Sequence, residues 1–377
     1  MRVLIAPDSF GGTLTAVEAA EAIAAGWRTS APDDELVLAP LSDGGPGFIE
    51  VVRAATGGRL LAHRVTGPMG EPVVAGVLLV DEIAYVESAQ ACGLHLVPIE
   101  ARDPMRTTTF GVGELLDAAI GAGARRVLVG LGGSATNDGG AGALAALGAR
   151  PADVLRAGGG ALAGLDPAAL DLSAARDRLA DVDLRIATDV DNVLLGIRGA
   201  SAGFGPQKGA DPDAVQRLDA ALERFARAAQ PEVGLNMPGS AAVERGSGAA
   251  GGLGFGLMLL GARRISGIAT VAEIVGLFDA VADADVVISG EGCFDWQSLA
   301  GKVVSGVAAV AGQFGRPCLV LAGRVEVGRR EMATLGVAGA YAILEEDQPQ
   351  QVRADHAAAD LAALAARVAR NWSSQQS

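Results

Sequence analysis

Histidine, cysteine and aromatic residues are scarce in this chain of 377 residues, which has three histidines, three cysteines and 4% aromatic residues. Cys92, Cys293 and Cys318 lie far apart, a spacing typical of neither a disulfide framework nor a zinc ribbon. A reducing, cytoplasmic environment is therefore expected. Because the histidines have no second ligand at metal spacing, the chemistry must depend on carboxylates, loop amides and a few cations.

Basic residues are fewer than acidic ones: the chain has 30 Lys and Arg and 44 Asp and Glu, and its net charge is −14. Nucleic acid is therefore not expected as a partner, although a small anion can still bind a local group of cations. The segment MRVLIAPDSF lacks the apolar core and cleavage site of a signal peptide. The uncharged, Gly-rich stretch 247–262 is shorter than the roughly 20 residues that a membrane helix needs.

Three common functional motifs are missing or occur in the wrong context. No G-x-x-x-x-G-K-[ST] segment exists, so ATP would not be bound by a P-loop. The G-x-G-x-x-G match at 246–251 does not follow a predicted strand, which disfavours dinucleotide binding. The G-x-S-x-G match at 199–203 is followed by FGPQKG instead of a helix, which disfavours a hydrolase.

A short apolar strand pattern, a loop rich in Gly, Asp and Ser, and an Ala-rich helical pattern follow one another repeatedly. This order is typical of α/β folds with parallel sheets, whose ligands bind beyond the carboxyl ends of the strands. The candidate loops are PDSFGGT at 7–13, LSDGGPG at 41–47, GGSATNDGGAG at 132–142, TDVDN at 188–192 and GEGCFDWQ at 290–297.

Local signals predict particular elements. Thr15 and Glu18 form a capping box that starts a helix running to about residue 27. Asp211 and Pro212 start a second helix, which ends near residue 229. Two β-like runs between residues 71 and 88 predict a hairpin and hence a mixed sheet.

The length of the chain predicts two domains, because one core rarely grows to this size. Strand and helix alternation returns after residue 285, so the first domain is expected to be discontinuous. The predicted limits are 1–70 plus 280–377 for one α/β domain and 71–279 for a second, inserted domain with a mixed sheet.

Asp189 and Asp191 alternate with Val190 directly after an apolar strand, so both carboxylates project to one side, beside Asn192. One could accept a proton from a substrate hydroxyl while the other orients the substrate or a metal ion. An Asp-rich turn explains the same spacing equally well. Phosphoryl transfer suits the available groups, because its catalysis consists of positioning and of charge neutralisation by Mg²⁺ and by Lys or Arg.

Long segments resemble the two-domain α/β glycerate kinase family of bacteria, which has no P-loop. The matching segments are APDSF at 6–10, SDGG at 42–45, TTTFGVGEL at 107–115, GLGGSATNDGGAGALAALGA at 130–149, TDVDN at 188–192, RGASAGFGPQKGA at 198–210, GAAGGLG at 248–254 and SGEGCFDWQSLAGK at 289–302.

The resemblance implies a flavodoxin-like (Rossmann-like) parallel-sheet domain, a second α/β domain with a mixed sheet inserted into it, and an active site in the cleft between them. It implies ATP and Mg²⁺ as cofactors, D-glycerate as substrate and phosphoglycerate as product, with a homo-oligomer left open. The implied site residues are Asp191, Asp189 and Lys208 for catalysis; Asp8, Ser9, Asn137, Asn192, Arg198 and Lys302 for the substrate; Gly132, Gly133, Ser134, Gly290 and Gly292 for the nucleotide; and Asp43, Glu291 and Asp295 for the metal.

Within this set, we expect Asp191 or Asp189 to be the base, and Lys208 and Arg198 to neutralise phosphate or the substrate carboxylate. Gly11, Pro46 and Cys293 depart from the family pattern, which has lysine, an acidic residue and arginine there. Cations such as Arg106 or Arg324 could hold the carboxylate instead. A kinase for a related hydroxylated substrate and a non-catalytic ligand-binding paralogue are the alternatives.

Overall fold

The computed structural model describes residues 1–231, 234–235, 237–296, 298, 303–344 and 355–373. The chain divides into two compact units: Met1–Asp43, Glu50–Gly57 and Gly267–Ser377 form the first, and Gly44–Ile49 with Gly58–Ser266 form the second. The domain limits at residues 71 and 279 stay a prediction, because compact units are defined by contacts and not by independent folding.

The strands are β1 (Arg2–Ile5), β2 (Glu35–Leu38), β3 (Arg59–Thr66), β4 (Pro72–Val80), β5 (Ile83–Glu87), β6 (Arg126–Gly130), β7 (Asp183–Ala187), β8 (Arg263–Ile265), β9 (Val286–Phe294), β10 (Cys318–Val325) and β11 (Val337–Ala342). The α-helices are α1 (Ala16–Ser30), α2 (Phe48–Thr56), α3 (Ala89–Cys92), α4 (Phe110–Gly121), α5 (Ala141–Ala146), α6 (Ala152–Leu155), α7 (Ser173–Leu179), α8 (Ala200–Phe204), α9 (Pro212–Ala229), α10 (Ala249–Met258), α11 (Gly267–Ile274), α12 (Leu277–Ala282), α13 (Val303–Gln313), α14 (Arg329–Leu335) and α15 (Ala357–Trp372). None of these helices in the described part of the chain has the length and apolarity that a membrane span requires.

The first unit contains a five-stranded sheet in the order β2-β1-β9-β10-β11, and every pairing in it is parallel. Counted within the unit, this is the order 2-1-3-4-5 of flavodoxin-like folds, which confirms the predicted fold class. Helix α1 begins at the predicted capping box, in which Thr15 and Glu18 bind each other's backbone N–H groups. Its buried face, which includes Trp27, packs against α15 in the core of the unit.

The second unit contains a six-stranded sheet in the order β3-β4-β5-β6-β7-β8. β3, β4 and β5 pair antiparallel and the remaining neighbours pair parallel, so the predicted mixed sheet is confirmed. The predicted hairpin is also present, because Val80 pairs with Ile83 across the two-residue turn at Asp81 and Glu82. Asp81 adopts a left-handed φ of 51°, a conformation that such turns require.

Two further local features of this unit lie at the starts of helices α9 and α10. Helix α9 starts at the predicted cap, where the Asp211 side chain accepts a hydrogen bond from the N–H of Ala214. Residues Ala250, Gly251 and Gly252 are all left-handed at the start of α10. The N–H of Gly139 donates to the carbonyl of Gly251 over 3.0 Å, so this left-handed turn packs directly against the loop that follows β6.

Candidate active site

Two polar loops of the second unit start side by side. β6 and β7 are parallel, and the register pairs Gly130 with Ala187 at their carboxyl ends. The N–H of Leu131 then donates to the carbonyl of Ala187 over 3.0 Å. The glycine-rich loop of residues 131–140 and the aspartate-rich loop of residues 188–192 therefore share one edge of the sheet, where α/β folds bind ligands.

The Asp138 carboxylate holds the glycine-rich loop from inside. Asp138 is fully buried and accepts two hydrogen bonds of 2.8 Å from the N–H and Oγ1 of Thr109. It accepts two more from the N–H groups of Gly140 and Gly142, over 3.0 and 3.2 Å. Burial raises the pKa of this carboxyl, whereas these hydrogen bonds oppose the rise. Asp138 thus stabilises the loop and does not face solvent.

Lys208 lies beneath the same loop, with 2% of its surface exposed. Its Nζ donates to Ser134 Oγ over 2.9 Å and to the carbonyl of Thr136 over 2.7 Å. Burial lowers the pKa of Lys208 to about 8. Burial also raises the pKa of the Cys92 thiol to about 12, so the thiol is neutral at pH 7 and does not balance the ammonium charge. The structure therefore brings the predicted residues Lys208 and Ser134 together.

Three consecutive backbone amides lie in the same loop, at and just before Ser134, whose Oγ accepts a hydrogen bond from this ammonium group. The N–H groups of Gly132, Gly133 and Ser134 have no acceptor among the residues that the structure describes. Gly133 is exposed and has a left-handed φ of 61°. Successive amides around a left-handed residue form a concavity that binds anions. Together with Lys208, they give the loop the donors and the positive charge that phosphate oxygens require.

Packing also explains the two glycines of this loop. A Cβ atom at Gly132 would lie 2.6 Å from the Cα of Gly45, and one at Gly133 would lie 2.9 Å from Cγ of Pro46. Both glycines are therefore needed for the close approach of residues 45–46, whatever binds to the loop. Their assignment to the nucleotide stays a prediction.

Asn137 is buried and linked to α8. Its Nδ2 donates to Ser201 Oγ over 2.9 Å, while its Oδ1 has no hydrogen-bond partner among the described residues. Ser201 belongs to the G-x-S-x-G match, and its full burial rules it out as an exposed nucleophile.

The two aspartates that follow β7 have different partners. Asp189 Oδ1 accepts a hydrogen bond of 2.6 Å from Ser266 Oγ. Asp191 forms an ion pair of 2.8 Å with Nη2 of Arg264 and a longer one of 3.7 Å with Nη1 of Arg245. The side chain of Asp191 is 61% exposed, so it is open to solvent while one oxygen contacts Arg264.

Asn192, the last residue of the aspartate-rich loop, contacts the backbone of Arg198. Asn192 Nδ2 donates to the backbone carbonyl of Arg198 over 2.8 Å. The Arg198 side chain is exposed and forms no ion pair with any residue in the described ranges. Its proposed contact with substrate stays a prediction.

In the first unit, the loop after β1 lies against the end of β9. The N–H of Asp8 donates to the carbonyl of Gly290 over 2.8 Å, and the N–H of Ser9 donates to Asp8 Oδ1 over 2.7 Å. A Cβ atom at Gly292 would lie 3.1 Å from the carbonyl carbon of Phe10. The structure thus brings Asp8, Ser9, Gly290 and Gly292 together, and packing accounts for both glycines.

The three predicted metal ligands lie at carboxyl ends of strands of this unit. Asp43 comes after β2 and is half-buried, whereas Glu291, inside the last part of β9, is 6% exposed. Asp295 follows β9, and its Oδ1 accepts a hydrogen bond from the N–H of Ser298 over 3.3 Å. No group of three or more His, Cys, Asp or Glu suited to a metal occurs in the part of the chain that the structure describes. Lys302 lies outside the described residues.

The positions that depart from the family pattern differ in their surroundings. Gly11 has a left-handed φ of 52°, and no atom lies within 4 Å of a Cβ built there. Cys293 is partly exposed on β9 and pairs in register with Arg324 on β10. A guanidinium group is therefore present on the strand next to Cys293, and its Nη1 donates to Glu326 over 3.2 Å.

Sequence reasoning did not find Thr109, Arg264 or Ser266. Each contacts a predicted aspartate, but each is distant from it in the chain; Ser266 and Asp189, for example, are 77 residues apart. The alternation of Arg264 in β8 and Ser266 just after it is the signal that could have indicated them.

Backbone amides, a buried lysine and paired carboxylates at the strand ends of an α/β fold are the groups of a phosphotransferase that acts on a small molecule. Comparison with known proteins agrees. The model of the glycerate kinase family matches residues 3–373. The chain belongs to the glycerate kinase family.

Curated relatives are similar over most of the chain. Glycerate kinase of Bacillus subtilis (strain 168) is 43% identical over 365 residues, which are 95% of this chain and 94% of the relative. Glycerate 2-kinase of Escherichia coli (strain K12) is 43% identical over 330 residues, 86% of this chain and 85% of the relative. The crystal structure of a candidate glycerate kinase 2 from Salmonella typhimurium LT2 superposes with a TM-score of 0.80 at 38% identity, covering 100% of this chain and 99% of the other.

Proposed function

We propose that the protein transfers the terminal phosphoryl group of ATP to D-glycerate and releases phosphoglycerate and ADP. Membership of the glycerate kinase family supports this reaction, as do the names of the relatives from Bacillus subtilis and Escherichia coli. The proposal includes a cytoplasmic location, which the three free thiols favour.

The observation that carries the proposal is the group of donors at the end of β6. Three successive amides at Gly132, Gly133 and Ser134 belong to the loop that the buried Lys208 ammonium contacts through Ser134 Oγ over 2.9 Å. Phosphoryl transfer spreads negative charge over the phosphate oxygens, and fixed donors stabilise that charge without reorganising. We therefore propose that this loop binds phosphate groups of ATP.

The acceptor hydroxyl is proposed to bind at the neighbouring loop, which begins at the same edge of the sheet. Asp191 presents a carboxylate that is 61% exposed and is held on one side by Arg264. A carboxylate within hydrogen-bond reach of the hydroxyl can take its proton as the oxygen attacks phosphorus. Asp189, held by Ser266 over 2.6 Å, then orients the substrate.

Mg²⁺ is proposed as a cofactor, with Asp43, Glu291 and Asp295 as its candidate ligands. Mg²⁺ usually takes one or two carboxylates and completes its coordination with water and phosphate oxygens, so a cluster of three acidic residues is not needed. The carboxylates fit this requirement because they are oxygen donors at strand ends and two are half-buried. When bound, Mg²⁺ supplies neutralising charge for the phosphates.

We further propose the 2-hydroxyl of glycerate as the acceptor, because the Escherichia coli relative is named glycerate 2-kinase. Two analogues distinguish which hydroxyl is the acceptor, because D-lactate keeps only the 2-hydroxyl and 3-hydroxypropanoate keeps only the 3-hydroxyl. In the product, proton–phosphorus correlation distinguishes a phosphate on the CH group from one on the CH₂ group. A phosphate on the CH₂ group would contradict this part of the proposal.

The proposal is tested by measuring ADP release from Mg-ATP with and without D-glycerate, for the unsubstituted protein and for Asp191→Asn. Release that depends on glycerate, and that falls at least about a hundredfold in the variant, is expected for a catalytic base. Circular dichroism of the variant shows whether it is folded. A folded protein that binds ATP but gives no glycerate-dependent ADP refutes the proposed function.

A further inference from the structure

The contacts of β8 single out one arginine next to the aspartate-rich loop. Arg264 Nε donates to the carbonyl of Thr188 over 3.1 Å, and its Nη2 contacts Asp191 Oδ1 over 2.8 Å. One guanidinium group thus bridges the start of the loop and a carboxylate three residues further on. Because guanidinium is planar and has donors at fixed angles, such a bridge fixes direction as well as distance.

The surroundings of Arg264 leave room for this bridge. Its side chain is 25% exposed, so its stem is largely covered. Gly246 has a left-handed φ of 84°, and a Cβ atom there would lie 2.9 Å from Cδ of Arg264 and 3.3 Å from Cγ2 of Thr188. Glycine at position 246 therefore provides the space in which the arginine stem packs.

Ser266 provides the matching contact two residues further along. Its hydroxyl donates to Asp189 Oδ1 over 2.6 Å, and the N–H of Thr188 donates to the carbonyl of Ile265 over 3.1 Å. Arg264 in β8 and Ser266 just after it therefore contact Asp191 and Asp189, the two alternate aspartates after β7. Arg245 differs from Arg264, because its contact with Asp191 is 3.7 Å long and its side chain is 76% exposed.

We propose that Arg264 is a positioning residue, which fixes the direction of the Asp191 carboxylate while Ser266 fixes that of Asp189. Its relevance to catalysis rests on the proposed function, in which Asp191 accepts the hydroxyl proton. A misdirected base slows the chemical step, since an error of about 1 Å in placement can cost about a hundredfold in rate. Binding of ATP, which involves other groups, stays unchanged.

The experiment compares Arg264→Met with Arg263→Met. Arg263 is adjacent on β8 and contacts Asp183 over 3.5 Å with 78% of its side chain exposed, so it controls for general effects on the strand. We expect kcat of R264M to fall about 10- to 100-fold with KM for ATP within about twofold. R263M should keep both constants. In the Asp191→Asn background, R264M should lower kcat by less than about threefold, because its effect passes through Asp191.

Hydrogen exchange gives a readout that does not need activity. Amides in the peptide of residues 188–193 should exchange about tenfold faster in R264M than in the unsubstituted protein, and R263M should not change them. Equal exchange in R264M and the unsubstituted protein overturns the inference. The inference is also overturned if R264M lowers kcat as strongly in the D191N background as in the protein that keeps Asp191. If the unsubstituted protein does not phosphorylate glycerate, the proposed function fails, and the exchange result alone decides whether Arg264 holds the loop.

Discussion

Lys208 should make the stability and the proposed activity of the protein depend on pH with opposite signs. Its ammonium group is buried beneath residues 132–136, where burial lowers its pKa from 10.5 to about 8. Below pH 8 the lysine is protonated in both the folded and the unfolded chain, so the cost of burying the charge is fully present. Between pH 8 and 10.5 the folded chain releases its proton first, and the unfolded chain binds more protons. The free energy of unfolding therefore rises with pH in this window.

The size of the effect follows from the change in pKa. A pKa unit corresponds to about 1.4 kcal/mol, so the change from 10.5 to about 8 corresponds to roughly 3 kcal/mol. Lys208→Met removes the titrating group together with its hydrogen bonds to Ser134 and Thr136. Other groups titrate in both proteins. The difference in unfolding free energy between wild type and K208M should therefore increase by about 2–3 kcal/mol from pH 7.5 to pH 10.

Activity should change in the other direction, because the proposed role of Lys208 needs its charge. The value of kcat/KM for ATP should decline as pH rises through about 8, since this constant reports ionisation of the free enzyme. Bound phosphate stabilises the ammonium form and so raises the pKa of Lys208. The decline in kcat should accordingly lie at higher pH than the decline in kcat/KM.

Urea unfolding at a series of pH values, together with steady-state kinetics in the same buffers, measures both effects. A stability difference that is flat from pH 7.5 to 10 would show that Lys208 does not titrate near 8. A kcat/KM for ATP with the same pH dependence in wild type and K208M would refute a role for its charge in binding phosphate.

Three further changes test the packing of the loops and of helix α1 against helix α15. Ala250→Gly should raise the unfolding free energy in urea by up to about 1 kcal/mol, because Ala250 has a left-handed φ of 50°; a decrease would contradict this strain. Asp138→Asn should lower it by about 2–4 kcal/mol, because the amide nitrogen cannot accept the hydrogen bonds of the carboxylate; an unchanged urea midpoint would argue against this role. Gly26→Ala should lower the melting temperature, since a Cβ would collide with the carbonyl of Ala362, whereas Gly121→Ala, a matched control in open space, should not.

The elements predicted correctly from sequence are those that local contacts determine. The capping box of Thr15 and Glu18 spans one helical turn, and the hairpin at Asp81 needs only a two-residue turn between two apolar runs. Such signals are complete within a few residues of the chain, so they can be read without knowing the tertiary fold. The parallel sheet of the first unit followed from the repeated order of strand, loop and helix.

The contacts that orient the site residues or change their pKa could not be predicted in this way. Arg264 lies 76 residues from Thr188, and nothing near either residue indicates that they meet. The burial of Lys208 likewise depends on residues 72 to 74 positions away. Spacing placed the candidate residues at strand ends, whereas the partners that orient them or change their pKa come from tertiary structure.

The glycines of the long matching segments have a structural reason that is separate from ligands. A Cβ at Gly251 would collide with the carbonyl of Thr136, and one at Gly142 would collide with the Thr108 hydroxyl. These segments are therefore constrained by packing of one loop against another, and similarity within them reports the fold as well as the reaction. Gly11 differs, because no atom lies within 4 Å of a Cβ built there. A side chain at position 11 would meet no packing conflict but would be strained by the left-handed φ of 52°, so a change there alters the loop after β1 without disturbing the core.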